Sequence, residues 1–219
     1  MKNKILVVAA HPDDETLGCG GTLLKHKAYG DKIHWLICTT LNEKNSYYKK
    51  REIELSKVSK LFNFDSVHNL PFETTKVDQH SMSELIEKIS KVINKVKPTI
   101  LYLPFKEDVH TDHKKLFEAS YSCTKSFRHS FIKKIYMMET LSETDFAPSI
   151  KKESFTPNTF IDISRYMKKK IQIMKVYKSE IKKHPFPRSE RSIRALATFR
   201  GSSSGCKFAE SFMLLKEIS

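Results

Sequence analysis

Two clusters of acidic and histidine side chains in this 219-residue chain have the composition of a metal site. The first cluster holds His11, Asp13, Asp14 and Glu15, and the second holds Asp108, His110, Asp112 and His113. Zinc binds imidazole nitrogens and carboxylate oxygens, and a catalytic zinc typically uses three protein ligands and one water. The pKa of that water falls toward neutrality, so it attacks a carbonyl group while an adjacent carboxylate takes its proton. The two clusters therefore predict metal-assisted hydrolysis.

Helix capping is the alternative explanation for the first cluster. Aspartate is a favoured N-cap residue, and carboxylates stabilise the N-terminus of a helix. Capping explains neither the two histidines of the second cluster nor their position soon after a predicted strand. Taken together, the two clusters favour a metal site.

The hydrophobic pattern predicts the elements that position these clusters. Short apolar runs indicate strands at residues 5–9, 32–40, 66–70, 99–103 and 134–139. Amphipathic patterns indicate helices at residues 17–29, 48–61, 83–96 and 113–123. Strands that alternate with helices imply βαβ units and a parallel sheet. We therefore expect a single α/β domain over residues 1–219, a Rossmann-like three-layer sandwich with a mainly parallel sheet.

The two clusters follow the first and the fourth predicted strands. In a doubly wound sheet, ligands bind at the carboxyl ends of the strands that flank the topological switch point. If these two strands are neighbours in the sheet, both clusters reach the same pocket.

The C-terminal third of the chain has a looser pattern. Periodicity weakens through residues 144–159, and the apolar run 160–163 leads into a basic helix predicted from 164 to about 183. Two prolines exclude a continuous helix at 184–188, where we expect a loop. We expect a flexible Ser/Gly stretch at 201–205 and an apolar tail at 208–215 that docks on the core.

The formal net charge is +14, and much of it is local. From Arg165 to Arg200 there are twelve Lys/Arg residues and two acids, Glu180 and Glu190. Such a field concentrates anionic ligands, although a solvated lysine-rich face explains the same pattern equally well. Arg188, in this segment, offers a planar donor group suited to phosphate or carboxylate, and we expect it to bind substrate.

Cysteine usage and hydropathy point to the cytoplasm. The four cysteines are scattered, without a CxxC pair or a dense disulfide framework, as is typical of a reducing compartment. The first apolar run is too short for a signal-peptide core, and no later run has the length of a membrane span. We expect a cytoplasmic protein without a membrane span.

Motifs in the two clusters are similar to those of a known family. Ala10-His-Pro-Asp-Asp-Glu15 and His110-Thr-Asp-His113, in this order, resemble the PIG-L/LmbE-like metal-dependent N-deacetylases. The resemblance covers most of the chain and implies an LmbE-like fold. Homo-oligomers are a further expectation from this resemblance.

The resemblance also implies roles for individual residues. His11, Asp14 and His113 would bind Zn²⁺, with another divalent transition metal as the alternative. Asp13 would be the general base, and His110 would stabilise the tetrahedral oxyanion or act as the acid.

Further positions concern the support of the site and its substrate. Asp112 is expected to orient His110 and keep it basic, and Arg51 is expected to reach the substrate. The chain departs from the family at Thr39-Thr-Leu-Asn-Glu-Lys44, where relatives often have glycine and an acid. It departs again at Ser179-Glu180, where many relatives have Ser-Gln. Both departures concern substrate specificity more than the metal.

The resemblance and the charge together predict a zinc-dependent hydrolase that removes the N-acetyl group from an amino sugar. The charge favours a nucleotide-linked or otherwise anionic N-acetyl hexosamine, for which we expect a role in surface-polysaccharide biosynthesis. A glucosaminyl conjugate in small-thiol biosynthesis and hydrolysis of another amide are alternatives. Non-catalytic nucleic-acid binding is the competing class, but no recognised nucleic-acid motif accompanies the basic segment, so we expect no nucleic-acid partner.

Overall fold

The computed structural model describes residues 2–148 and 154–219. The strands in these residues are β1 Lys4–Ala9, β2 Lys32–Thr40, β3 Ser66–Glu73, β4 Ile100–Leu103, β5 Lys134–Met138, β6 Thr159–Asp162 and β7 Ala209–Glu217. The α-helices are α1 Asp14–Ala28, α2 Tyr48–Phe62, α3 Met82–Val96, α4 Thr111–Ser122, α5 Met167–Met174 and α6 Glu190–Ser204. Every strand and helix predicted before residue 140 corresponds to one of these elements.

The strands form one sheet in the order β3-β2-β1-β4-β5-β7-β6. The first five strands in this order, from β3 through β2, β1 and β4 to β5, pair in parallel. Strand β7 is antiparallel to both β5 and β6. Helices pack on both faces, which confirms the three-layer α/β fold with a mainly parallel sheet. Strand β1 lies between β2 and β4, so the first and fourth strands are neighbours, as a shared pocket requires.

Two apolar cores flank the sheet, because successive side chains of a strand point to opposite faces. In β1, Ile5, Val7 and Ala9 enter one core, while Leu6 and Val8 enter the other. Helices α1, α2, α5 and α6 close the first core, and α3 and α4 close the second. Each large aliphatic side chain of β1 is fully buried and contributes roughly 1.5–3 kcal/mol to the free energy of folding. The loop after β1 therefore begins at a strand that the core holds in place.

Helix α1 starts at the candidate site and is irregular at Cys19, where φ is −145° and ψ is 20°. Backbone N–H groups beyond this point bond to a side chain: Glu210 accepts from Gly21 at 2.8 Å and from Thr22 at 2.7 Å. The Lys170 ammonium, also buried, lies 2.7 Å from Glu210 Oε1 and balances its charge. These contacts tie α1 to α5 and β7.

Helix α5 is shorter than the sequence pattern predicts. It ends at Met174 instead of about residue 183. The chain then turns, and Tyr177 is fully buried with its hydroxyl donating to Glu15 Oε1 at 2.9 Å. Tyr177 is therefore buried in a turn that follows the helix.

The prediction of a flexible stretch at 201–205 is wrong. Helix α6 continues through Ser204 and ends at Gly205, whose φ of 71° is the left-handed conformation in which helices often terminate. The loop predicted at 184–188 is non-helical, and the apolar tail docks as strand β7, as expected. Of the weakly patterned stretch 144–159, residues 149–153 lie outside the described residues.

Candidate active site

The three predicted metal ligands meet at the carboxyl ends of β1 and β4. His113 Nε2 lies 3.3 Å from both Asp14 Oδ2 and His11 Nδ1, and His11 Nδ1 lies 3.9 Å from Asp14 Oδ2. Ligand atoms of a tetrahedral zinc, each at about 2.0–2.2 Å from the ion, are separated by roughly 3.4 Å. The donor atoms of the three side chains therefore fit three corners of a tetrahedral zinc site.

A second, overlapping group consists of His11, His110 and Asp112, whose candidate ligand atoms lie within 4.8 Å of one another. Its atoms already have other partners. The Asp112 carboxylate contacts His11 Nε2 at 2.9 Å and accepts from Thr75 N at 2.8 Å, while His110 Nδ1 accepts from Asp112 N at 3.1 Å. We therefore propose His11, Asp14 and His113 as the ligands.

Each histidine of the proposed ligand set places its other ring nitrogen on a carboxylate. His113 Nδ1 is 2.8 Å from Asp108 Oδ2, and the Thr144 hydroxyl donates to Asp108 Oδ1 at 2.6 Å. His11 Nε2 makes the corresponding contact with Asp112. Carboxylates in this position fix the tautomer and orientation of a metal-binding imidazole and increase its basicity.

The histidine that pairs with the Asp112 carboxylate differs from the one expected from the sequence. His11 takes that place, whereas His110 Nδ1 lies 3.9 Å from Asp112 Oδ2 and bonds to the Asp112 backbone instead. The physical reason is that His110 is the N-cap of α4, where its ring accepts a backbone N–H group of the first turn.

Asp13 and Asp14 are adjacent but lie in opposite electrostatic environments. Burial would raise the pKa of Asp14, but the neighbouring His113 and His11 hold it below its ordinary value. Burial and the charge of Asp14 raise the pKa of Asp13 well above its ordinary value, and Arg188 opposes only part of that increase. Asp14 is thus suited to act as an ionised ligand, and Asp13 to accept a proton.

The backbone at Asp13 is strained. Its φ of 121° is sparsely populated by residues other than glycine, and such strain persists where the surroundings impose it. The Asp13 N–H group donates to Glu15 Oε2 at 3.1 Å, and the fully buried Glu15 is itself held by Thr16 and Tyr177. Arg188 Nη1 lies 3.2 Å from Asp13 Oδ2. These contacts fix the position of the Asp13 carboxylate.

His110 faces the same pocket as a neutral ring. Its Nδ1 accepts the Asp112 N–H group, so the proton of the neutral imidazole resides on Nε2. Burial and the nearby His11 lower the pKa of His110 to about 4. The ring is therefore uncharged near neutral pH and can donate one hydrogen bond.

A cavity of about 220 Å³ opens at this site. Five of the eight predicted site residues line it, namely His11, Asp13, Arg51, His110 and Arg188. The other three, Asp14, Asp112 and His113, are buried and contact His11. The lining also contains Glu143 and Glu180. Glu143 lies in an irregular segment whose sequence carries no periodic signal for such a position.

One carboxylate joins the two arginines predicted to bind substrate. Glu180 Oε1 is 2.5 Å from Arg51 Nη2, and Glu180 Oε2 is 3.3 Å from Arg188 Nη2. The Arg51 guanidinium also lies over the rings of Tyr47 and Tyr177, at 5.6 and 5.5 Å from their centroids. Both arginines therefore lie in the pocket wall, and both are ion-paired.

Similarity to known proteins agrees with this site. A family model described as PIG-L, GlcNAc-PI de-N-acetylase, matches residues 6–124, a range that includes both clusters of metal-capable residues. The diacetylchitobiose deacetylase of Thermococcus kodakarensis is 24% identical over 94% of this chain and 81% of its own length. A probable N-acetyl-alpha-D-glucosaminyl L-malate deacetylase 2 of Bacillus anthracis is 22% identical over 82% of this chain and 83% of its own.

A solved structure extends the comparison to the whole fold. The N,N'-diacetylchitobiose deacetylase of Pyrococcus horikoshii superposes with a TM-score of 0.79 at 20% identity, over 98% of this chain and 84% of that chain. The resemblance expected from the two motifs is thereby confirmed at the level of sequence family and of fold. The chain belongs to the PIG-L family, described as GlcNAc-PI de-N-acetylase, and is a deacetylase of the hydrolase class.

Proposed function

We propose that this protein is a zinc-dependent hydrolase that removes the acetyl group from an N-acetylated amino sugar. The observation that carries the proposal is the triangle of His11 Nδ1, Asp14 Oδ2 and His113 Nε2 beside a pocket lined by Asp13 and His110. Two imidazoles and one carboxylate suit zinc, and other divalent transition metals accept the same donors.

The side chains of the pocket divide the steps of amide hydrolysis among them. When bound, a divalent ion lowers the pKa of a water molecule and polarises the amide carbonyl. Asp13 accepts the proton of the attacking water and delivers it to the departing nitrogen, a role that suits its raised pKa. His110 donates a hydrogen bond from Nε2 to the oxyanion as a neutral ring. Of its two expected roles, oxyanion stabilisation has the better support.

The amino sugar is proposed from the relatives. The names of both deacetylases similar in sequence describe substrates that carry an N-acetylglucosamine unit or its dimer. A nucleotide-linked or other anionic sugar for surface polysaccharide has only the net charge in its favour, since Arg51 and Arg188 are already paired with carboxylates. The glucosaminyl conjugate of small-thiol biosynthesis has the Bacillus anthracis relative in its favour.

Several wider expectations stay predictions. A single domain, a homo-oligomer and a cytoplasmic location rest on the sequence pattern and the family resemblance. Among residues 2–148 and 154–219, no helix combines the length and the apolar character needed to cross a membrane. Nucleic-acid binding without catalysis has less support, because the deacetylase family accounts for the clustered histidines and carboxylates.

Acetate release from a substrate panel tests the proposed function. The panel contains N-acetyl sugars in free, phosphorylated, nucleotide-linked and malate-linked form, together with an N-acetyl peptide. The metal-stripped protein is measured beside the same protein reloaded with zinc. We expect zinc-dependent acetate release from at least one sugar and none from the peptide. Release from the peptide alone, or release that does not depend on metal, would contradict the proposal.

A further inference from the structure

We propose that Glu180 makes the pocket selective for uncharged N-acetyl sugars over anionic ones, by occupying the two arginines that would otherwise bind a substrate anion. This inference rests on the proposed function, because it concerns the substrate of the same pocket. It opposes the preference for anionic ligands that the net charge of +14 suggests.

The first step is the geometry around Glu180. Its Oε1 lies 2.5 Å from Arg51 Nη2 and accepts from the Ser179 hydroxyl at 2.7 Å. Its Oε2 lies 3.3 Å from Arg188 Nη2. The carboxylate thus has a separate oxygen for each guanidinium, and the contacts with Arg51 and Ser179 hold it in place.

The Nη1 atom of each guanidinium also faces an acceptor, whereas the buried Arg188 Nε has no hydrogen-bond partner. Arg188 Nη1 is 3.2 Å from Asp13 Oδ2, and Arg51 Nη1 is 3.5 Å from Glu54 Oε2. A phosphate or carboxylate of a substrate would have to displace these protein carboxylates before it could form a bidentate pair with either arginine. It would also lie close to the charge of Glu180, and such like-charge contacts exclude unsuitable ligands.

The charged side chains that line the pocket lead to the same conclusion. The lining contains three carboxylates, Asp13, Glu143 and Glu180, against the two guanidiniums of Arg51 and Arg188. Sugar hydroxyl groups can donate to the carboxylates and accept from the arginines without an added charge. An uncharged ligand therefore leaves the ion pairs of Glu180 with Arg51 and Arg188 in place, whereas an anionic ligand would compete with Glu180 for both arginines.

The test compares two substrates that differ by one phosphate group, N-acetylglucosamine and N-acetylglucosamine 1-phosphate. The measured quantity is the ratio of their kcat/KM values for zinc-loaded wild type, Glu180→Gln and Glu180→Asp. The ratio removes any effect on the Asp13 base, which Glu180 reaches through Arg188, because that effect is common to both substrates. Glu180→Gln retains the shape of the side chain and removes its charge, whereas Glu180→Asp retains the charge.

Glu190→Gln is the matched control. Glu190 lies in the same basic segment but pairs with Lys175 and Arg194 and does not line the pocket. The Glu190→Gln variant therefore measures the effect of removing one negative charge from the basic segment outside the pocket.

We expect wild type and Glu180→Asp to prefer the uncharged sugar, and Glu180→Gln to shift the ratio toward the phosphorylated sugar by about tenfold or more. We expect Glu190→Gln to leave the ratio unchanged. The inference is overturned if wild type prefers the phosphorylated sugar, if Glu180→Gln keeps the wild-type ratio, or if Glu190→Gln shifts it equally. If Glu180→Gln fails to fold, a preference of wild type or Glu180→Asp for the phosphorylated sugar still overturns the inference. Failure to release acetate from any N-acetyl sugar would instead contradict the proposed function.

Discussion

Neighbouring side chains determine the protonation state of each titratable residue of the pocket. Asp14 stays ionised beside His113 and His11, whereas Asp13, one residue earlier, has a raised pKa because it is buried next to that charge. His110 is kept neutral by burial and by His11. The proposed ligand, base and hydrogen-bond donor thus depend on environment as well as residue type.

Removal of the Asp108 charge is predicted to weaken metal binding. Asp108→Asn leaves His113 Nδ1 without its carboxylate partner at 2.8 Å, so zinc affinity should fall about 10- to 100-fold. Competition with a zinc chelator measures the affinity, and the exposed Glu87→Gln serves as the control. Equal affinity in Asp108→Asn and wild type would show that the contact does not support the metal site.

The residues of the two motifs could be identified from the sequence, since their types and spacing suit zinc chemistry. Their partners could not be identified in the same way. Thr144 lies 36 residues from Asp108, and Glu180 lies 129 residues from Arg51, so only the fold reveals these contacts. The same limitation explains the wrong partner expected for Asp112, which lies 101 residues from His11.

At the scale of elements, close packing of α1 positions the start of the site. Gly21 faces Ile163, and a Cβ atom at Gly21 would lie 2.7 Å from the Ile163 Cβ atom. A rotamer change of Ile163 cannot relieve that contact, because Cβ does not move with χ1. Gly20, on the same helix, has room for a methyl group, with its nearest neighbour at 3.5 Å.

Two glycine substitutions therefore separate packing from helix propensity. Gly21→Ala should lower the free energy of unfolding by about 1–3 kcal/mol through overpacking. Gly20→Ala should leave it unchanged or raise it by up to about 1 kcal/mol, because alanine favours a helix. Urea unfolding followed by circular dichroism measures both. Equal effects of the two substitutions would show that the approach of α1 to Ile163 is not tight.

Elements with continuous apolar runs were predictable, and those defined by tertiary contacts were not. Strands β1 and β4 follow from runs buried on both faces of the sheet. The end of α5 at Met174 does not follow from local pattern, because the burial of Tyr177 against Glu15 determines the turn. Helix α6 through Ser204 contradicts the local Ser/Gly composition, since its packing against β7 outweighs intrinsic propensity.

At the scale of the whole molecule, the proposed metal site joins two halves of a mainly parallel sheet. His11 and Asp14 follow β1, and His113 follows β4 on the other side of the switch point. His113 lies 102 residues from His11 along the chain, so the unfolded chain does not hold the three proposed ligands together. Metal binding should therefore stabilise the native state.

Zinc is accordingly predicted to raise the melting temperature. At a free concentration of about 100 times its Kd, a ligand specific for the native state adds about 2.7 kcal/mol, or roughly 5–10 °C in Tm for a chain of this size. Differential scanning calorimetry of stripped and reloaded protein measures the shift. His11→Ala should abolish most of the shift, and a full shift in that variant would place the zinc elsewhere.

The zinc content and the kcat/KM of Asp13→Asn, measured on the same preparation, test the central claim most directly. Asp13 lines the pocket without belonging to the proposed ligand set, and asparagine keeps its size while it cannot accept the proton. We predict full zinc content with kcat/KM for acetate release reduced about 10²- to 10⁴-fold. Wild-type turnover in the zinc-loaded variant would contradict the account, as would loss of zinc in a folded variant.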